Sequence, residues 1–193
     1  MKKMSPLNKS VITAICIALC VVLPMAMHFI PGIALPFSPV VINSGTLFSP
    51  MHIPVLLCGI VCGWQYGLLC GLIGPLLSSL ITGMPATAML PFMMVELAVY
   101  GTVTGLCMAR IHMGRLLSDL YLSMLIAMLS GRIIAGIAKA LFFTNGEFSF
   151  TAWVTAYFVY CLPGIVIQLV LIPTLYLALQ RAKLVPYRYE AIR

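Results

Sequence analysis

The chain has 193 residues, of which 62% are hydrophobic and only 8% charged, and its mean hydropathy is +1.11. A soluble domain is about half apolar and about a quarter charged, so this composition excludes a water-soluble globule and a disordered chain. The formal net charge of +7 arises from 11 Lys and Arg against 4 Asp and Glu, which reflects a scarcity of acids rather than a basic surface. We therefore expect an integral protein of the lipid bilayer with no nucleic-acid partner.

Six apolar segments predict six membrane helices. One crossing takes roughly 20 apolar residues, so residues 1–193 have room for a single transmembrane domain and for no soluble domain. We predict helices over residues 8–29, 51–62, 65–82, 89–110, 118–143 and 151–181. The second is too short to cross alone unless its neighbours surround it. The predicted fold class is an all-α membrane protein, a six-transmembrane-helix bundle with a long outer loop after helix 1.

The basic residues at or beyond the helix ends predict the orientation. They lie near both termini and between the fourth and fifth helices, at Lys2, Lys3, Lys9, Arg110, Arg115, Arg181, Lys183, Arg188 and Arg193. The segments on the other side, 30–50, 83–88 and 144–150, contain no Lys or Arg. Because basic residues accumulate on the cytoplasmic side, we expect both termini in the cytoplasm of a cell-membrane protein. No small-x-small cleavage site follows the first apolar run, which we expect to be retained as helix 1.

The outer segment over residues 30–50 is apolar but is unsuited to a further spanning helix, because it contains four prolines. Long loops are commonly binding loops, so we favour a lid over the alternative, a hairpin on the outer surface. Its main hydrogen-bonding groups are Asn43, Ser44 and Thr46. Ser49 followed by Pro50 predicts the N-cap of the next helix, whose N-terminus would favour an anion near His52.

Three charged residues lie well inside predicted helices, at least four positions from either end: Glu96, Arg132 and Lys139. Helix geometry places Arg132 roughly 16 Å, Glu96 roughly 10 Å and Lys139 roughly 6 Å from the outer helix ends, so all three share the outer half. Arg132 and Lys139 lie on one helix face, and Ala135 and Gly136 leave room between them. Glu96 can neutralise only one of the two cations, so we expect the other to meet an anionic ligand.

Each of these charges has a simpler alternative. Lys139 could extend its ammonium group to the outer surface. Arg132 is too deep for that, but it could form a purely structural pair with Glu96. A proton relay is disfavoured because no chain of acids or histidines connects the three residues.

The same substrate-binding site has weaker polar candidates, Asn43, His52, Tyr100, Asn145 and Gln168, with Trp153 and Tyr157 beside them. A lone histidine or glutamine often only bonds a neighbouring helix, which is the structural alternative for these residues. The 7 cysteines form no metal or redox motif, and neither paired acids nor a GxxxxGK[ST] phosphate loop occurs. We therefore expect no metal, no cofactor, no enzymatic activity and no ATP-driven transport by this chain alone.

Glycines at positions 59, 63, 67 and 71 recur every four residues, around a turn predicted at Trp64-Gln65, and Gly101 and Gly105 repeat the spacing. Small residues at this spacing let membrane helices approach closely. We interpret them as packing positions.

Two sequence motifs resemble the substrate-capturing S components of energy-coupling-factor (ECF) vitamin transporters. Residues 14–18, Ala-Ile-Cys-Ile-Ala, form an AxxxA motif in helix 1. The block SPMHIPVLLCGIVCGWQYGLLCGLIGPLLSSLITG at 49–83 is similar to the second and third helices of that family, including its His-Ile-Pro and its short turn. Length and six-helix layout also match, so the resemblance covers nearly the whole chain.

The resemblance implies a bundle that binds a vitamin-like molecule from outside, beneath the loop after helix 1. It implies a transmembrane coupling subunit and two ATPase subunits as partners, with Ala14 and Ala18 on the docking face and toppling of the S component to release its cargo inward. The 49–83 block resembles the pantothenate-type branch, which also embraces other cargoes, so a carboxylate-bearing vitamin such as pantothenate or nicotinate suits the leftover cation. The competing hypothesis is a stand-alone secondary transporter or channel for an organic anion.

Overall fold

The computed structural model describes residues 4–27, 29–34, 41–42, 44–142 and 149–189, and most of them are α-helical. The helices are α1 Pro6–Met27, α2 Ser44–Phe48, α3 His52–Cys62, α4 Trp64–Thr82, α5 Leu90–Arg110, α6 Leu116–Phe142, α7 Phe150–Val154 and α8 Leu162–Arg181. A π-helical segment, Thr155–Tyr160, separates α7 from α8. In the segment expected to be a lid, β1 Ile33–Ala34 pairs antiparallel with β2 Val41–Ile42, so this segment contains a hairpin.

Five helices in the described part of the chain, α1, α4, α5, α6 and α8, are long and apolar enough to cross a bilayer. Helix α3 has 11 residues and covers about 16 Å, roughly half of the hydrocarbon thickness. Its buried positions include His52, Val55, Leu56 and Cys58. The second predicted helix is therefore a short internal segment surrounded by its neighbours.

Helix α5 occupies the centre of the bundle and packs against α3, α4 and α6. Helix α1 lies against α3 and α4, and α8 lies against α3 and α6. We call the end of the bundle with the β-hairpin and residues 84–89 the hairpin end. The opposite end, with residues 111–115 and 182–189, is the latch end.

Gly63 alone joins α3 to α4, with a backbone φ of 97°. A positive φ is readily adopted only by glycine, which explains why the chain reverses here. The turn predicted at Trp64-Gln65 therefore lies one residue earlier, and Trp64 is already the first residue of α4.

Gly67 of α4 and Gly101 of α5 meet backbone to backbone. A Cβ atom placed on either glycine would overlap the carbonyl oxygen of the other. Gly59 of α3 approaches the same Gly101 carbonyl, and Gly71 approaches that of Leu97. The prediction of packing positions is confirmed for these four glycines and for Gly105, which let α5 sit in direct contact with α3 and α4, but not for the turn residue Gly63, which has no atom within 4 Å of a Cβ position.

The predicted N-cap at Ser49 is wrong. Helix α3 begins at His52, after Met51, and no side chain caps it. Ser49 has a φ of 44°, and its hydroxyl donates to the Cys161 sulfur at 3.9 Å instead. The positive φ turns the Ser49 side chain away from α3, while its carbonyl accepts the His52 backbone N–H at 3.1 Å.

The sixth predicted helix, 151–181, is not continuous. It consists of α7, the π-helical segment and α8, with a break at Cys161. Pro163 explains the break, because proline has no N–H and its ring clashes with the carbonyl four residues earlier, here that of Val159.

Residues 185–189 fold back onto the start of α6 and form what we call the latch. Asp119, in the first turn of α6, is fully buried and accepts hydrogen bonds from Arg188 Nε at 2.7 Å, the Met113 N–H at 2.8 Å and the Tyr189 hydroxyl. Arg188 also donates to the Ile111 carbonyl. The latch therefore ties the segment after α8 to the α5–α6 connection.

The glycine contact predicts a stability difference between two valine variants of α5. Gly101→Val should lower the free energy of unfolding by about 1–3 kcal/mol or more, because the facing backbone cannot move aside. Ala109→Val, at an exposed position of the same helix, should change it little. Thermal unfolding in detergent measures both, and equal midpoints would contradict the close α4–α5 contact.

Candidate functional site

A cavity of about 320 Å³ opens at the hairpin end of the bundle. Its wall includes residues from α1, α3, α5, α6 and the π-helical segment, together with the α4–α5 connection. Three residues of its lining, Glu96, Arg132 and Lys139, are the intrahelical charges of the sequence, and His52 joins them. The cavity volume lies at the lower end of the range for small-molecule sites.

Glu96 and His52 form a buried pair across α5 and α3. His52 Nε2 lies 3.4 Å from Glu96 Oε1, and His52 Nδ1 lies 3.1 Å from the Ser49 carbonyl oxygen. The Ser49 carbonyl oxygen can only accept, so it fixes the His52 ring from the side away from Glu96.

Arg132 of α6 lies beside this pair with only 3% of its surface exposed. Its Nε atom is 3.9 Å from Glu96 Oε1, beyond hydrogen-bond distance, and its guanidinium lies 5.6 Å from the Phe158 ring centre. Nε has no hydrogen-bond partner within the described ranges. Glu96 is the one carboxylate that the described lining offers to both Arg132 and Lys139, so these two cations exceed it by one positive charge.

Lys139 lies on the same side of α6, about 10 Å closer to the hairpin end, and is partly buried. The room predicted between the two cations is taken by a protein side chain. A Cβ atom on Gly136 would overlap the indole of Trp153, so Gly136 makes space for that ring rather than for a ligand. Gly131 accommodates the Tyr100 ring in the same way.

Tyr100 and Gln168 lie behind the cavity wall and do not line it. The Tyr100 hydroxyl donates to Glu96 Oε1 at 2.9 Å, and Gln168 Nε2 donates to the Ser49 carbonyl at 3.3 Å. Both side chains are fully buried. They therefore contact Glu96 and the Ser49 carbonyl, which are themselves at the cavity. Asn43 and Asn145, the other two predicted polar residues, lie outside the described residues.

Five methionines line the cavity although none of them was predicted as a site residue. They are Met27, Met51, Met84, Met89 and Met93. They are scattered over 67 positions, and their shared location near the predicted outer helix ends was the only signal available.

Tyr157 also lines the cavity, as predicted. The π-helical segment places Ala156 and Cys161, five residues apart, on the same wall.

Ala14 and Ala18 are both exposed on α1. They are four residues apart and so share one helix face, where the larger neighbours Val11, Ile15 and Val22 are exposed as well. This face is apolar and free of other helices within the described chain, and the two alanines form a shallow strip along it.

The helices and the cavity define a polytopic membrane protein with a ligand-sized pocket near one end of its bundle. The sequence model of the family described as "ECF transporter, substrate-specific component" matches residues 8–176. The chain belongs to this family, which confirms the resemblance seen in helix 1 and in the 49–83 block. A comparison with curated proteins found no match.

Family membership makes this chain a multi-pass membrane protein and the substrate-binding subunit of an ECF importer. The family binds small-molecule substrates and works with an ECF coupling module, and it is generally non-enzymatic. The cavity at the hairpin end is the natural candidate for the substrate site.

The charge arrangement predicts that Glu96 matters more for stability than Arg132 does. Glu96→Gln should lower the free energy of unfolding by about 3–5 kcal/mol, because it leaves Arg132 buried beside a neutral amide. Arg132→Gln should cost far less, because Glu96 keeps its contacts with His52 and with the Tyr100 hydroxyl. The measurement is thermal unfolding of both variants in detergent without ligand. An equal loss in the two variants would mean that Arg132 and Glu96 are a purely structural pair.

Proposed function

We propose that this protein captures an anionic water-soluble vitamin or vitamin precursor, such as pantothenate or nicotinate, and delivers it with an ATPase-driven coupling module. The observation that carries the proposal is Arg132, a buried cation in the wall of the 320 Å³ cavity whose Nε has no hydrogen-bond partner in the described chain. A carboxylate in the cavity supplies the missing counter-charge. Arginine can hold a carboxylate with two parallel hydrogen bonds, which fixes the orientation of the ligand.

Lys139 supports the same function from a shallower position. It lies closer to the hairpin end than Arg132 and lines the same cavity. A second positive charge near the entrance raises the local concentration of anions and directs them inward. Two cations at two depths therefore provide a path for one anion from the entrance to Arg132.

The distribution of basic residues supports a cavity that opens to the outside of the cell membrane. Six basic residues of the described chain lie at the latch end, Lys9, Arg110, Arg115, Arg181, Lys183 and Arg188. Since basic residues accumulate on the cytoplasmic side, the latch end and both termini face the cytoplasm in our proposal, and the hairpin end faces outward.

The exposed strip of Ala14 and Ala18 is our candidate for the surface that meets the transmembrane coupling subunit. Small side chains allow a partner helix to approach closely in a membrane, where packing drives helix association. Two ATPase subunits, attached to that coupling subunit, would then supply the energy. The assignment to the pantothenate-type branch is part of this proposal and rests on the 49–83 block, whose His52 lies in the cavity wall.

Arg132→Leu should abolish anion binding while the protein remains folded. Loss of a buried charge partner weakens a complex by about 2–5 kcal/mol, roughly 30-fold or more in Kd. The matched control is Arg110→Leu, which removes an exposed arginine from the latch end. Mass spectrometry of molecules released from the purified protein first identifies the ligand, and calorimetry then compares the variants. Unchanged affinity in Arg132→Leu would remove Arg132 from the site.

Bulky residues on the alanine strip should separate capture from transport. In Ala14→Leu/Ala18→Leu, uptake into cells should fall to background while binding by the purified protein is unchanged, because the cavity lies elsewhere. The control, Thr174→Leu/Ala178→Leu, places the same residues at the same spacing on an exposed face of α8. Undiminished uptake in the α1 variant would favour a stand-alone transporter.

A further inference from the structure

The cavity combines one deep cation with a wall rich in methionine. Its five methionines come from α1, from the turn before α3, from the α4–α5 connection and from α5, so sulfur reaches the cavity from several directions. Proline and alanine side chains, at Pro24, Pro50, Pro85, Ala86 and Ala156, fill much of the remaining wall. A ligand held at Arg132 must therefore place the rest of its surface against apolar and polarizable groups.

Several polar side chains that the described residues contribute to this wall are already paired. His52 and Glu96 form their own pair, and the Ser49 hydroxyl donates to Cys161. Besides Arg132, this leaves Lys139 and Tyr157 in the described lining. A cargo with several hydroxyl or amide groups would bury those that find no partner there, which costs about 1–3 kcal/mol for each group.

Methionine sulfur makes favourable contacts with the edges of aromatic rings, and the flexible side chain adapts to flat ligands. We infer that the cargo is a compact aromatic or heteroaromatic monocarboxylate, with its carboxylate on Arg132 and its ring among the methionines. The inference rests on the proposed function and narrows it. A cavity of about 320 Å³ has room for such a molecule.

Five soluble probes separate the elements of this inference in calorimetry on the purified full-length chain. Benzoate and nicotinate carry both ring and carboxylate, nicotinamide lacks the charge, cyclohexanecarboxylate lacks aromaticity, and pantothenate carries hydroxyl and amide groups. We expect benzoate or nicotinate to bind at least about tenfold more tightly than each of the other three.

A pair of variants tests the methionines directly. Met89→Leu/Met93→Leu keeps the side-chain volume but removes two sulfurs from the wall. It should weaken the binding of the aromatic carboxylate about two- to tenfold and leave the affinity for cyclohexanecarboxylate unchanged. Met124→Leu/Met128→Leu makes the same exchange at the same spacing within α6, at buried positions outside the cavity lining, and should change neither affinity.

The outcomes distinguish this inference from the proposed function. Arg132-dependent binding of pantothenate in preference to benzoate and nicotinate would overturn the aromatic assignment and leave anion capture intact. Equal binding of benzoate and cyclohexanecarboxylate would likewise overturn it. Nicotinamide binding as tightly as nicotinate, or no binding of any carboxylate, would overturn both.

Discussion

The structure depends on one electrostatic constraint, which is that an arginine in the interior of a membrane bundle must have a counter-charge or a ligand. Arg132 has one carboxylate nearby, that of Glu96, but His52 lies closer to it, and Lys139 is a second cation in the same wall. The excess positive charge then lies in the wall of a cavity rather than in a closed core. A site of this kind is stabilised by an anion, so ligand binding and stability of the bundle are coupled through the same side chain.

Several irregular elements make room for this site. The short helix α3 starts within the bundle and brings His52 to the cavity, and the glycine contacts hold α5 close enough for Glu96 to reach it. The π-helical segment turns Tyr157 and its neighbours toward the same space. Both of these irregular elements, the short helix α3 and the π-helical segment, contribute residues to the cavity wall, as is common where backbone geometry serves a functional site.

The five long helices could be predicted because an apolar run of membrane length has few alternatives. Burial of Glu96 and Arg132 followed from the same reasoning. The partner of Glu96 could not be predicted, because His52 lies 44 positions away and meets it only through the packing of α3 against α5. The contact of Trp153 with Gly136 and the grouping of the methionines in the cavity wall could not be predicted either, because these residues come together only in the folded structure. The N-cap predicted at Ser49 is absent because that residue has a positive φ, and the predicted helix 151–181 is interrupted because of Pro163.

The latch has a consequence for the order in which the protein assembles. Asp119 lies in the first turn of α6, but Arg188, its charged partner, is synthesised 69 residues later. A carboxylate is costly to bury without its partner, so the first turn of α6 cannot reach its final packing before Arg188 has been made. The latch can therefore close only after α8 has been synthesised, when all the described residues that line the cavity already exist.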